Sequence, residues 1–561
     1  MSALTSLAII SYSSYIMDKK FYVTTPIYYI NDKPHIGSTY TTVAADILAR
    51  SHRLRGDKTF FLTGTDENSQ KSVEAAEKSG KELRVYLDEM AKIWENTWKE
   101  LGLSFDDFIR TSEERHYKAV KRFWQAVEKS GDIYKDKYER HYCVGCEDFK
   151  TDSELNEDDR CPLHPNKDLE LVQEENYFFK ASAYKDEILQ LFHNQKDFVQ
   201  PPKRLNEIRS YVKNAFNDFS ISRESKKVSA GIPVPGDDSQ RIYVWFDALI
   251  NYMSAVGYGT DDELFKKWWP ANLHLVGKDI IKFHCALWPA MIMSAAKNDP
   301  LLQNEDGTPK LPEQIFAHGF FTVEGQKMSK SLGNAIDPLE LAKEYPFDVI
   351  RYFFFREIQF GNDGDFNRSR IAERYQTDLA NTLGNLLNRA INMSRKYFDG
   401  KVPEINSYLT QVEFLACFNM DGTNFIGEDS LTTLWQQIDE YYNTSRIDLA
   451  LELIWNGTEL SAWSLNGLNK FIEEVKPFKL IKENELQTAQ VLYCVLEACR
   501  HVAWMIEPVM PEISKQIIYS LGQDPKSEIS QNNFQNLKKW GGLEPGSDLP
   551  EPKILFPRLG E

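Results

Sequence analysis

An apolar run, a helix-periodic stretch and a second apolar run follow one another at the start of this chain. Phe21-Tyr22-Val23-Thr24-Thr25 reads as a buried strand that ends at Pro26. Beyond a short loop, Ser38 or Thr39 can cap a helix running to about Arg55. Its apolar positions are Tyr40, Val43, Ala44, Ile47, Leu48 and Leu54, and Gly56 closes it. Thr59-Phe60-Phe61-Leu62 is the next strand. Strand, helix and strand at this spacing predict an α/β fold with a parallel sheet, whose ligands bind where the strands end.

The pattern breaks between Lys118 and Arg223, where short strands and many charges suggest an inserted subdomain. Ile242-Tyr243-Val244-Trp245-Phe246, His274-Leu275-Val276-Gly277 and Ile315-Phe316-Ala317-His318-Gly319 then restore the buried-strand pattern. Asp337-Pro338 opens a helix as N-cap and first residue. From Ile371 onward strand signals vanish, and Leu379 to Tyr397, Leu431 to Tyr442 and Glu485 to Ile506 have helical spacing. The expected division is a tail over 1–18, one sheet half over 19–117, the insertion over 118–223 and the second half over 224–325. A connecting region over 326–370, a helical domain over 371–540 and an irregular tail over 541–561 complete it.

At 561 residues the chain is too long for a single core. No apolar run approaches the roughly 20 residues that span a bilayer, so no membrane partner is expected. The net charge of −17 excludes a nonspecific nucleic-acid coat, although a local basic patch can still hold a specific RNA. Seven cysteines in an uneven distribution predict a reducing compartment, the cytoplasm. Three of them cluster: Cys143-Val-Gly-Cys146 and then Cys161-Pro-Leu-His164. Two tight pairs of soft ligands match tetrahedral zinc, and four protein ligands predict a closed structural site, not a catalytic one.

Two further segments carry chemistry. His35-Ile36-Gly37-Ser38 stands at the predicted strand-to-helix turn, and Lys327-Met328-Ser329-Lys330-Ser331 lies between glycines past the middle. In this order they resemble the two signature motifs of class I aminoacyl-tRNA synthetases. The resemblance implies a Rossmann-like parallel-sheet catalytic domain with a zinc-binding inserted subdomain, followed by an α-helical anticodon-binding domain. It also implies that His35, Gly37 and Ser38 meet the ATP phosphates at a helix start. Lys327 and Lys330 would supply charge to the transition state and the departing pyrophosphate. Gly277, Lys278, Asp279, His318 and Gly319 would hold ribose, adenine or phosphate at other strand ends. The family pattern is His-(Ile/Leu)-Gly-His, and here Ser38 takes the last place.

Four more segments are similar to the methionyl-tRNA synthetase family: Thr25 to Asn31, Phe61 to Glu67, Tyr243 to Ala248 and Val276 to His284. By that resemblance Asp66 pairs with the substrate ammonium group. Ile27, Tyr29, Trp245, Ala248, Leu249, Tyr252, Ile280, Phe283 and His284 would line a pocket whose aromatic walls suit a thioether. Tyr29 and His284 could hydrogen-bond near the sulfur. Asn68-Ser69 replace the His-Gly often found in the family, and Leu249 replaces a proline. The insertion is too short for the editing domain of the valine, isoleucine and leucine enzymes.

In the helical region, Leu379 to Arg389 resembles the family's anticodon-reading helix. Asn385 and Arg389 share one face, where an amide and a guanidinium can read unstacked bases. Phe478, after Pro477, stands where the family often stacks a tryptophan. The expected activity is methionine–tRNA ligase, with tRNA(Met), ATP and L-methionine as partners, magnesium entering with ATP, one structural zinc, and a monomeric chain. A non-catalytic tRNA-binding or amino-acid-sensing paralogue is the second reading, and a small nucleotidyltransferase the third.

Overall fold

The computed structural model describes residues 19–143, 145, 148–150, 155–162, 168–226, 230–327, 334–405, 428–457, 463–527 and 534–557. Its centre is a six-stranded parallel sheet: β1 (Lys20–Tyr29), β2 (Lys58–Asp66), β3 (Asp107–Arg110), β4 (Val199–Gln200), β5 (Leu273–Gly277) and β6 (Ile315–His318). The order across the sheet is β3-β2-β1-β5-β6-β4. Successive residues of β1 face opposite ways, so Phe21 and Val23 enter one apolar core and Tyr22 the other. β1 does not end at Pro26. A register shift between Thr24 and Ile27 lets it continue to Tyr29, because a bulge tolerates a residue with no N–H to donate.

Helix α1 (Ile36–Leu54) follows β1. Its cap is His35, not Ser38 or Thr39. The His35 Nδ1 accepts from the Gly37 N–H at 3.1 Å, while Ser38 Oγ accepts from the His35 N–H at 3.1 Å and donates to the His35 carbonyl at 2.7 Å. The imidazole thus does what a cap side chain does, and Ser38 supplies the reciprocal half of a capping box. Gly56 closes the helix at φ +89°.

Helix α2 (Glu114–Lys129) packs Phe123 and Trp124 against Phe246. A long antiparallel pair follows, Ile133–Cys143 with Glu170–Phe179, and forms the insertion's own sheet. The expected insertion is not wholly separate, since β4 lies within residues 118–223 yet pairs with β6 of the central sheet. A second correction concerns Ile242 to Phe246. The strand there is Asp237–Ile242, and Val244–Leu249 is a helix, α3. A short run buried on every side carries no period, so sequence could not separate the two.

Past the connecting region the described residues are mainly helical, including α4 (Asn385–Tyr397) and α5 (Glu485–Ile506). Tyr375–Gly384, just before α4, is wound as a π-helix. Gly457, at φ +72°, ends the helix Ile447–Asn456, and Ser464 caps Leu465–Val475 by accepting from the Gly467 N–H at 3.0 Å. Residues 541–557 lack regular structure but are anchored. The buried Glu497 carboxylate accepts the N–H groups of Gly541, Gly542 and Leu543.

The core that holds α1 also holds Phe353, Trp455 and Trp504 of the later helices. At that junction Asp46 of α1 bonds Arg351 and Arg50, each at 2.7 Å. Arg351 in turn donates to the carbonyls of Val509 and Pro508. The sheet-bearing part and the later helices therefore meet through a buried ion pair and the hydrogen bonds of its arginine as well as through apolar contacts.

Candidate active site

The carboxyl ends of β1, β2, β5 and β6 open into one cleft of about 570 Å³. It contains most of the side chains that the sequence singled out. Ile27 and Tyr29 come from the bulged end of β1, His35, Gly37 and Ser38 from the start of α1, and Asp66 from the last position of β2. Trp245, Ala248 and Leu249 come from α3, with Tyr252 just beyond. Gly277 ends β5 and Asp279, Ile280 and His284 come after it, while His318 ends β6 and Gly319 comes next.

One side of the cleft is aromatic. Trp245 stacks on Phe283 with centroids 3.7 Å apart and planes 6° from parallel, so Phe283 backs the wall and does not line it. The Lys71 ammonium lies 4.2 Å from the centre of the Tyr29 ring and donates to the Gly145 carbonyl. His284 spends both nitrogens within the protein. Nδ1 faces the Ile280 carbonyl at 3.1 Å and Nε2 the Tyr252 hydroxyl at 2.7 Å. With Nδ1–H donating, Nε2 accepts from the phenol. Burial lowers its pKa to about 4, so this ring is a neutral wall element and offers no N–H to a sulfur.

The other side is the helix end. Because His35 Nδ1 accepts from Gly37, its neutral ring carries the proton on Nε2, as a donor. Burial lowers the His35 pKa and keeps the ring neutral at pH 7. A neutral donor beside the first N–H groups of α1 suits an anionic ligand. Ser38, 5% exposed, is turned into the capping box. His318 is held between the Gly319 carbonyl and Thr41 of α1, both at 2.7 Å, and burial lowers its pKa to about 4. A Cβ on Gly319 would run into the backbone of Asn362, which explains glycine there.

Lys278 does not line the cleft. Its ammonium bonds both oxygens of Asp363 at 2.7 and 2.6 Å, and Asp363 also accepts the Phe320 N–H. This fixes the start of the hairpin Phe321–Val323 and Gln326–Lys327, which leads into the lysine motif. Lys330 and the side chain of Lys327 lie outside the described residues.

Sequence reading missed Trp94, Tyr28 and Phe320, which also line the cleft. Trp94 stacks on Tyr28 at 5.0 Å and donates to the Asp32 carbonyl. Its helical spacing marks it as core and nothing more. Phe320 follows His318-Gly319 directly and is 39% exposed, a signal that only a structure reveals.

Cys143 and Cys161 are both buried, as soft metal ligands in a closed site would be. Cys146 and His164 lie outside the described residues. Among the described residues no group of three or more His, Cys, Asp or Glu could hold a metal. In the helical region Asn385 is exposed at the start of α4, and Arg389 sits one turn on, 3.8 Å from Glu473. Phe478 is 47% exposed.

A parallel sheet with a histidine-capped helix at one strand end, a lysine motif after the last strand and a helical domain beyond defines a class I aminoacyl-tRNA synthetase. A family model described as tRNA synthetases class I (M) matches residues 21–391. A Thermotoga maritima protein named methionine–tRNA ligase is 42% identical over 96% of this chain and 80% of its own length. One of that name from Thermosynechococcus vestitus is 41% identical over 97% and 98%. Mycobacterium tuberculosis methionyl-tRNA synthetase, solved with methionyl-adenylate, superposes with a TM-score of 0.85 at 37% identity, over 96% of this chain and all of that one. The chain belongs to the methionyl-tRNA synthetase family.

Proposed function

We propose that this chain is a methionine–tRNA ligase whose two half-reactions share the cleft. The observation that carries this reading is the joining of an acid, Asp66, an aromatic wall and a histidine-capped helix start in one cleft, in a chain with a structural relative that holds methionyl-adenylate. Asp66, 3% exposed, takes the methionine ammonium group. Ile27, Tyr29, Trp245, Ala248, Leu249, Tyr252 and Ile280 surround the side chain, with His284 and Phe283 bracing them. Tyr29 is the candidate partner for sulfur.

In the first step a methionine carboxylate oxygen attacks the α-phosphorus of ATP. The bond to the β-phosphate bridging oxygen breaks, and pyrophosphate leaves. His35 and the start of α1 receive phosphate, while Lys327 and Lys330 neutralise the leaving group. Gly37, Gly277, Asp279 and Gly319 leave room for or hold the nucleotide. Magnesium accompanies ATP. In the second step a terminal ribose hydroxyl of tRNA attacks the methionyl carbonyl and AMP leaves. No protein nucleophile enters; orientation and charge carry the rate.

Cys143, Cys146, Cys161 and His164 are proposed to hold one structural zinc, consistent with the burial of both described thiols. Asn385, Arg389 and Phe478 are proposed to read the anticodon, by hydrogen bonding and by stacking. A monomer in the cytoplasm is proposed as the working form.

The deciding assay is methionine-dependent ATP–pyrophosphate exchange, with leucine and norleucine as controls. Exchange driven by methionine and not by leucine is expected. Its absence from folded, zinc-loaded protein would favour the non-catalytic paralogue, which no structural observation now supports.

A further inference from the structure

Asp66, Glu67 and Asn68 leave β2 in a row, and their side chains go three ways. Asp66 enters the cleft. Glu67 is fully buried and takes both Nε and Nη2 of Arg110, at 2.7 and 3.0 Å, with Ser112 at 2.6 Å. Asn68 Nδ2 donates to Asp247 at 2.7 Å and to the Thr111 carbonyl at 3.0 Å.

Asp247 lies on α3 and is 0% exposed. Its Oδ2 takes Asn68 and its Oδ1 takes His116 Nε2 at 2.6 Å. His116, also 0% exposed, comes from α2, and its Nδ1 meets Ser254 Oγ at 2.9 Å. One buried carboxylate therefore ties together the exit of β2, the start of α2 and the helix that carries Trp245, Ala248 and Leu249. Asn68, His116 and Asp247 do not line the cleft. A carboxylate kept from water needs both donors, and losing either displaces the helix on which it sits.

We propose that Asn68 and His116, acting through Asp247, are positioning residues for amino-acid selectivity. They set the separation between the Asp66 carboxylate and the Trp245–Ala248–Leu249 wall, and with it the length of side chain that the cleft accepts. The inference rests on the reading of this cleft as the methionine site.

The test is exchange kinetics on the full chain, varying methionine, ethionine and ATP separately. Asn68→Asp keeps the shape, removes the donor and sets a second carboxylate against Asp247. It is expected to raise KM for methionine about tenfold, leave KM for ATP within about twofold, and lower the preference for methionine over ethionine, which is one methylene longer, about fivefold. Adding Asp247→Asn reverses the amide–carboxylate pair and should recover most of the loss in KM. Asn68→Ala, which adds no charge, should give the same split at smaller size and serves if Asn68→Asp does not fold. An unchanged KM for methionine overturns the inference. So does an equal rise in both KM values, or a double variant no better than the single one. Absence of exchange in the unmodified chain would instead overturn the methionine reading, and this inference with it.

Discussion

Helix α1 serves two buried places, and they treat charge in opposite ways. At its N-terminus, in the cleft, His35 is neutral, and its neighbours His284 and His318 have pKa values lowered to about 4 by burial. Three turns on, at the junction with the helical domain, Asp46 keeps its charge. Burial pushes its pKa up, but the guanidiniums of Arg351 and Arg50 hold it well below the usual carboxylate range. Desolvation acts in both places. It decides the outcome where no opposite charge touches the group, and loses where a guanidinium does. Asp348, at the same junction, is the control. Two backbone N–H groups, from Glu512 and Ile513, bond it at 2.8 Å, and burial raises its pKa to about 6. The cleft histidines are thus neutral, while the junction holds charges that are internally compensated.

The largest consequence concerns acid. His284, His318 and His501 each have a folded pKa of about 4, against 6.5 as ordinary histidines. Between those values the unfolded chain binds more protons, so stability falls as pH drops from 6.5 to 4, by about 3 kcal/mol per histidine. Asp348, raised from 3.8 to about 6, opposes this, gaining stability as pH falls through 6. Urea midpoints measured at intervals from pH 7 to pH 4 should decline, and more steeply in Asp348→Asn. A flat profile breaks the claim that these three buried histidines are neutral.

The next effect contrasts the two junction carboxylates. Asp46→Asn leaves Arg351 buried without its counter-charge and should cost about 3–5 kcal/mol. Asp348→Asn keeps an acceptor for the backbone and should change stability at pH 7 by about 1 kcal/mol or less. Equal costs in urea denaturation would show that charge does not distinguish them.

The smallest effect belongs to the cleft end. Ser38→Ala removes the bond to the His35 N–H and should cost about 1 kcal/mol, with KM for ATP unchanged. A large rise in that KM would mean that the hydroxyl turns outward to the nucleotide.

Much of this was readable along the chain. Buried strands at Phe21–Thr25, Thr59–Leu62, His274–Gly277 and Ile315–His318 stand where an unbroken apolar run implies cover on both faces. Asp337 and Pro338 stand at a helix start because cap chemistry is local. The run Ile242 to Phe246 was misread because burial on all sides removes the period that separates strand from helix.

The sequence by itself determined the parallel α/β frame, the helical region after it, the family and most of the cleft, since these rest on local pattern and on ordered motifs. Only the tertiary structure decided which polar atoms are occupied. His35 and not Ser38 caps α1, Lys278 pairs with Asp363, and Asp247 joins Asn68 to His116 across 179 and 131 residues. Those outcomes depend on which partners the fold brings within hydrogen-bond distance, and a contact between residues so far apart leaves no trace in local order.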